Sequence, residues 1–142
     1  MKKLSNDNVR VATIKHDVHG LDIDRDGKDS YRFSKAGAKI SVVSSPDMTV
    51  YKVHKKLSLD DIISNVKEVD LIIIEGYSTD DKIPCIGVAR KELGKGFKCN
   101  FENVIALVSD YSNEELAAMG YKGQAFNLND IDGVVEFIKN LA

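Results

Sequence analysis

The run Val69-Asp70-Leu71-Ile72-Ile73-Ile74 constrains this chain more than any other segment. It is nearly all aliphatic and rich in β-branched side chains, without the apolar/polar alternation of a half-exposed strand. That pattern predicts a parallel strand buried on both faces. Val104 to Val108 is a second such run, and Ile83 to Val88 a third candidate. Between them lie amphipathic segments. Ser58 is placed to cap a helix whose first turn carries Asp60 and Asp61 and whose apolar stripe is Leu59, Ile62, Ile63 and Val66. Asn113 to Met119 reads as a helix stopping at Gly120, and Asp130 as the cap of a last helix lined by Ile131, Val134, Val135, Ile138 and Leu141. Further forward, Val9 to Ile14 reads as a strand and Asp29 to Ala38 as a helix ended by Gly37. Lys39 to Ser44 and Thr49 to Val53 read as strands on either side of a Ser45-Pro46-Asp47 turn. Strands alternating with helices predict an α/β domain around a mostly parallel sheet.

Composition narrows the function. With Lys plus Arg at 20 and Asp plus Glu at 22, the formal charge is −2. A dedicated nucleic-acid binder needs a basic excess that this chain lacks. The apolar runs are too short to span a bilayer, and Met1 to Asn6 has no apolar core behind its lysines to serve as a signal peptide. Cys85 and Cys99 fit no metal or redox spacing and read as reduced, structural thiols. These features point to the cytoplasm, and 142 residues fit a single domain.

In parallel α/β sheets ligands bind beyond the carboxyl ends of the strands. The first such place is Lys15-His16-Asp17-Val18-His19-Gly20. Here a cation, a carboxylate and two imidazoles suit phosphate or metal chemistry: Lys15 as a point charge, Asp17 toward Mg²⁺, His19 toward an anion. A solvated polar loop is the alternative. The following Asp22-Ile23-Asp24-Arg25-Asp26-Gly27 matches half of an EF-hand loop, but the closing twelfth position is Phe33 and the eighth is Asp29, so calcium is set aside. A turn into the Asp29 helix, with Lys28, Ser30 and Arg32 available to anions, is the better reading.

The second place is Asp70 through Tyr77. A carboxylate, Glu75, ends a buried aliphatic strand and is followed by Gly76, which resembles a Walker B element. An ordinary strand running into a turn would look the same. No G-x-x-x-x-G-K-[ST] accompanies it, since Gly27-Lys28 and Gly94-Lys95 lack the following Ser or Thr. Lys91 to Lys98, basic and Gly-containing, reads as a flexible surface loop or hairpin tip.

Taken together, Ile14 to His19, Gly27 to Arg32, Lys35 to Ala38, Asp70 to Tyr77 and the Asn127 to Gly133 ending resemble the molybdopterin-guanine dinucleotide biosynthesis protein B (MobB) family. The resemblance covers essentially the whole chain, with Gly87 to Phe101 the least matched part. It implies a P-loop NTPase-like α/β fold, a mostly parallel sheet flanked by helices, over residues 1–142. It also implies GTP and Mg²⁺ binding, slow GTPase activity and a homodimer. Family members assist the guanylyltransferase that attaches GMP to molybdopterin. By position, Glu75 is the catalytic Walker B carboxylate, and Asp17 and Glu75 lie toward the metal. Lys15, His16, Asp17, His19 and Gly76 face the nucleotide. Lys28, Asp29, Ser30 and Arg32 line the same cleft, Arg32 against a molybdopterin or nucleotide phosphate.

The departure from the family lies at the start. A first strand, a Walker A loop and most of a helix precede the Val9 strand in the family, whereas Met1 to Asn8 stand here. Met1 to Ser5 resembles the tail of that helix, making Met1 an internal methionine of a longer relative. Without the loop, the 142 residues are expected to bind GTP weakly or not at all and not to hydrolyse it. Because the first strand lies inside such a sheet, its neighbours are expected to show unpaired edges. Two other functions fit the residues. One is a non-catalytic adaptor of the guanylyltransferase or a molybdoenzyme; the other is an unrelated α/β metal-dependent enzyme using Asp17, His19 and Glu75.

Overall fold

The computed structural model describes residues 1–17, 20, 24–77 and 82–141. The chain forms two compact units, Met1–His16 with Val69–Ala142, and Asp17–Glu68.

The first unit holds the parallel strands. Helix α1 (Lys2–Asn6) leads into β1 (Val11–Lys15). The second unit supplies the next elements of the chain, α2 (Asp29–Lys35), β2 (Ile40–Ser44), β3 (Thr49–Val53) and α3 (Leu59–Asn65). The chain then returns as β4 (Leu71–Glu75), β5 (Cys85–Ala89), β6 (Val104–Ser109), α4 (Asn113–Ala118), β7 (Gln124–Asn127) and α5 (Ile131–Lys139). Strand β1 pairs in parallel with β4, Val11 opposite Leu71 through Lys15 opposite Glu75. Strands β5, β6 and β7 form a separate parallel sheet in that order, with a register shift between Cys85 and Ile86.

The β1–β4 ladder starts one residue after Asp70 for a visible reason. The Asp70 carboxylate accepts from the Arg10 backbone N–H at 2.8 Å and from the Arg10 guanidinium at 2.6 and 3.1 Å. This fork holds the Asp70 carboxyl down at about 2, through the guanidinium first and the backbone N–H second. Asp70 therefore clamps the entry of both strands.

The core of the unit lies on the other sheet. Leu107, Leu116 and Tyr121 are buried, with Phe97, Phe101, Val104, Tyr111 and Ala125 packed around them. Helix α4 delivers Leu116 and is closed by a capping box between Ser112 and Glu115. Helix α1 buries Leu4, and ion pairs of Lys3 with Asp132 and of Lys139 with Asp7 tie it to α5. Both cysteines are free thiols. Burial pushes the Cys99 thiol up to about 11, with Cys85 beside it adding to the effect, as befits an unreactive structural cysteine.

Two expectations need correction. The aliphatic strand is parallel, but Leu71 to Ile74 are half-buried rather than buried on both faces, because all four line an open cavity. The Lys91 to Lys98 segment is an exposed surface loop as expected, but an anchored one and not a hairpin tip. It begins with a 3-10 turn, Lys91–Leu93, whose first N–H donates to the Asp110 carboxylate at 2.9 Å. The Lys91 ammonium pairs with Glu115, and Phe97 packs onto the core.

The second unit joins α2 and α3 to an antiparallel hairpin of β2 and β3, Ile40 opposite Val53 and Ser44 opposite Thr49. Helix α3 has the expected Ser58 cap, completed by Asp61 into a capping box. Asp24 is an internal anchor. Its carboxylate accepts from Ser30 Oγ at 3.1 Å and from Lys52 Nζ at 2.5 Å, and the Lys52 bond above all holds its pKa below the ordinary value. Among the described residues, no helix is long and apolar enough to cross a membrane.

Candidate functional site

Parallel pairing decides what meets at the strand ends. Because Lys15 and Glu75 are register partners, their side chains emerge side by side at the carboxyl ends of β1 and β4. Lys15 Nζ donates to Glu75 Oε1 at 2.7 Å, with the two side chains 63% and 73% exposed. Two polar groups chosen from separate sequence blocks thus form one accessible ion pair. Such a pair adds little to folding. Its placement, where parallel sheets bind ligands, is what makes it a candidate site.

The chain leaves Glu75 by an unusual path. Gly76 has φ +95° and Tyr77 φ +53°, two successive left-handed residues. A Cβ on Gly76 would stand 2.9 Å from His16 Cβ and 3.3 Å from the His16 carbonyl oxygen, so only glycine lets the two segments approach this closely. The fold-back stacks the Tyr77 ring on His16, centroids 4.5 Å apart and planes at 26°. The His16 N–H in turn donates to the Glu75 carbonyl at 2.9 Å, extending the ladder by one bond. Tyr77 is the site residue that sequence reasoning passed over, although the Glu75-Gly76-Tyr77 block was in view. A non-glycine residue forced left-handed beside a glycine marks a position whose strain is held by its surroundings.

The structure therefore brings Lys15, His16, Glu75 and Gly76 together in the first unit. Asp17, Lys28, Asp29, Ser30 and Arg32 belong to the second unit. There Ser30 is bound to Asp24, and Arg32 reaches Asp29 at 3.7 Å on an exposed helical turn. His19 lies outside the described residues.

The residues present do not fit a complete magnesium–nucleotide site. Glu75 is a carboxylate suited to the metal side, but one of its oxygens already holds Lys15. No group of three His, Cys, Asp or Glu side chains able to hold a metal occurs among the described residues. No G-x-x-x-x-G-K-[ST] sequence occurs in the 142 residues to wrap phosphates with backbone N–H groups.

Parallel strands flanked by helices, with a lysine–carboxylate pair and a Glu-Gly turn at their carboxyl ends, define a P-loop NTPase-like α/β protein. A solved structure of molybdopterin-guanine biosynthesis protein B (mobB) superposes with a TM-score of 0.71 at 25% identity, covering 99% of this chain and 84% of that one. Bacillus subtilis MobB superposes at 0.66 with 23% identity, covering 97% and 83%. The family model for molybdopterin guanine dinucleotide synthesis protein B matches residues 1–110, so the chain belongs to the MobB family. A molybdopterin-guanine dinucleotide biosynthesis adapter protein of Escherichia coli K12 is 31% identical over 141 residues, 92% of this chain and 75% of the relative. Its counterpart in Haemophilus influenzae is 28% identical over 136 residues, 93% and 72%.

Proposed function

We propose that this chain is an accessory, adapter-type protein of molybdopterin-guanine dinucleotide biosynthesis that engages the molybdenum-cofactor guanylyltransferase. The observation that carries the reading is the Lys15–Glu75–Gly76 cluster. Three residues of the family's blocks meet at the strand ends, in a chain whose relatives are adapter proteins. The 142 residues act as one P-loop NTPase-like domain in the cytoplasm. Lys15, His16, His19 and Gly76 are assigned to the nucleotide, and Asp17 and Glu75 to the metal. Lys28, Asp29, Ser30 and Arg32 are assigned to binding the same ligand, Arg32 to a molybdopterin or nucleotide phosphate.

GTP with Mg²⁺ is the ligand that the family resemblance implies, yet the Lys15–Glu75 pair alone gives it little hold. An exposed lysine and a carboxylate supply only about 1 kcal/mol between them. A nucleotide triphosphate at micromolar affinity needs about 8 kcal/mol. The 142-residue chain therefore binds Mg·GTP weakly and leaves it unhydrolysed. Isothermal calorimetry with Mg·GTP tests this. Heat too small to fit below about 1 mM is expected, and a micromolar Kd would overturn it.

The homodimer draws support from the second unit. Its hairpin exposes Val42 at 52%, Met48 at 63% and Tyr51 at 71%. An apolar hairpin face left open to water is a surface that a partner covers, so a second copy packing on it would stabilise both. Sedimentation analysis of wild type and Tyr51→Lys checks it: dimer for the first, monomer for the second.

A further inference from the structure

Cys85 and Cys99 match no redox spacing along the chain, yet folding puts them side by side. Cys85 opens β5, and Gly87, two residues on, shares its face of the strand. The Cys99 sulfur lies over that glycine. A Cβ on Gly87 would stand 2.9 Å from Cys99 Sγ, so the bare backbone leaves the space that the sulfur fills. The thiols of Cys99 and Cys85 share a hydrogen bond. Both residues are half-buried, so their neighbours hold the pair in place without sealing it from solvent.

Joining the two sulfurs takes only a short movement, and both residues sit where the backbone can supply it. The ladder between β5 and β6 shifts register between Cys85 and Ile86. Cys99 lies at a bend in the irregular stretch between the two 3-10 turns, Lys91–Leu93 and Phe101–Asn103. Neither position is fixed by an unbroken ladder, so local adjustment brings the sulfurs to bonding distance without storing strain.

We propose that Cys85 and Cys99 form a reversible disulfide, a redox latch that ties the start of β5 to the segment leading into β6. Where thiols are kept reduced the pair rests as a dithiol, and a low-molecular-weight disulfide closes it. The Cys85 thiolate attacks one sulfur of that molecule, forming a mixed disulfide and releasing one small thiolate. The Cys99 thiol then yields its proton to solvent and attacks Cys85 Sγ, expelling the second small thiolate. The protein pair loses two electrons and two protons, and the small disulfide gains them as two thiols. Burial holds the Cys99 thiol up, so Cys85 starts the exchange and Cys99 completes it. The closed latch encloses residues 86–98, and it stabilises the fold by restricting the unfolded chain. The inference stands apart from the adapter reading, since it concerns the β5–β6 connection and not the strand-end cluster.

The test incubates the full 142-residue chain with oxidised glutathione at mildly alkaline pH and reads intact mass and free thiols. Wild type should lose both thiols and two hydrogens, carry no glutathione and stay a single uncrosslinked chain. Its Tm should rise by about 5–10 °C and fall back when dithiothreitol is added. Cys99→Ser should stop at one glutathione on Cys85. Cys85→Ser should react at least about tenfold more slowly than Cys99→Ser, and equal rates would overturn the assigned order of attack. The wild-type mass and thiol count decide the matter even if a serine variant fails to fold. Two glutathione adducts on wild type, chains crosslinked to one another, or both thiols left free would each overturn the proposal.

Discussion

Replacing Gly76 with alanine tests how the site is held together. Two costs add at this position. Its φ of +95° lies where an L-residue is penalised by about 1–2 kcal/mol. The new Cβ also meets His16 Cβ at 2.9 Å and the His16 carbonyl oxygen at 3.3 Å, atoms that no side-chain rotation can move aside. Forcing a methyl into such a contact costs about 1–3 kcal/mol. Alanine recovers about 0.4–1 kcal/mol by restricting the unfolded chain. The net expectation is a loss of about 2–3 kcal/mol, or about 5–10 °C in Tm for a chain of this size. Gly120→Ala is the matched control. Its φ is +91°, but nothing lies within 4 Å of its Cβ position, so it bears only the conformational cost, about 1 kcal/mol after the same correction. Urea unfolding of both variants, with the slope m unchanged, separates the two contributions. The Gly76 variant should also lose the ring-current shift that Tyr77 imposes on His16. Equal destabilisation of the two variants, with the His16 resonance unmoved, would refute the close approach on which the site rests.

The remaining expectations concern single contacts. Asp70 has its carboxyl held at about 2 against an ordinary 3.8, so its stabilisation is fully present above the ordinary value and disappears as pH falls toward about 2. The difference in urea midpoint between wild type and Asp70→Asn should therefore shrink across that interval, and a constant difference would contradict the Arg10 fork. Leu107→Ala, at a position with no exposure, should cost about 3 kcal/mol by chemical unfolding. Ser112→Ala removes the oxygen that caps α4 and should cost about 1 kcal/mol in the same assay.

Local chemistry was legible in the sequence wherever it needed no distant partner. Ser58 and Ser112 sit three residues before a carboxylate, and both close as capping boxes. The apolar pattern from Asn113 onward does not by itself point to Ser112. The β2–β3 hairpin was read almost to the residue, because the Ser45-Pro46-Asp47 turn fixes its register. Strand β7 was missed. Gln124-Ala125-Phe126-Asn127 has no strand signature of its own, and its conformation comes from pairing with β6. The Lys91 to Lys98 segment holds a similar lesson. Its glycines and lysines suggest a free loop, while Phe97 within it packs onto a core built by residues distant in sequence.

For the candidate site, the sequence supplied Lys15, His16, Glu75 and Gly76 as separate motif members, and β1–β4 pairing explains why they converge. Tyr77 is not legible in the sequence, because its role follows from a left-handed backbone that composition does not reveal. The unpaired edges were anticipated from the family's sheet order. Their position between β4 and β5, and the cavity between them, required the structure.

The adapter reading is tested most directly by titrating the 142-residue chain against purified molybdenum-cofactor guanylyltransferase, by calorimetry, with and without Mg·GTP. A complex that forms at about 10 µM or tighter, with the same affinity whether or not nucleotide is present, is the expected result. No complex in either condition, or one that appears only when Mg·GTP is added, would contradict it.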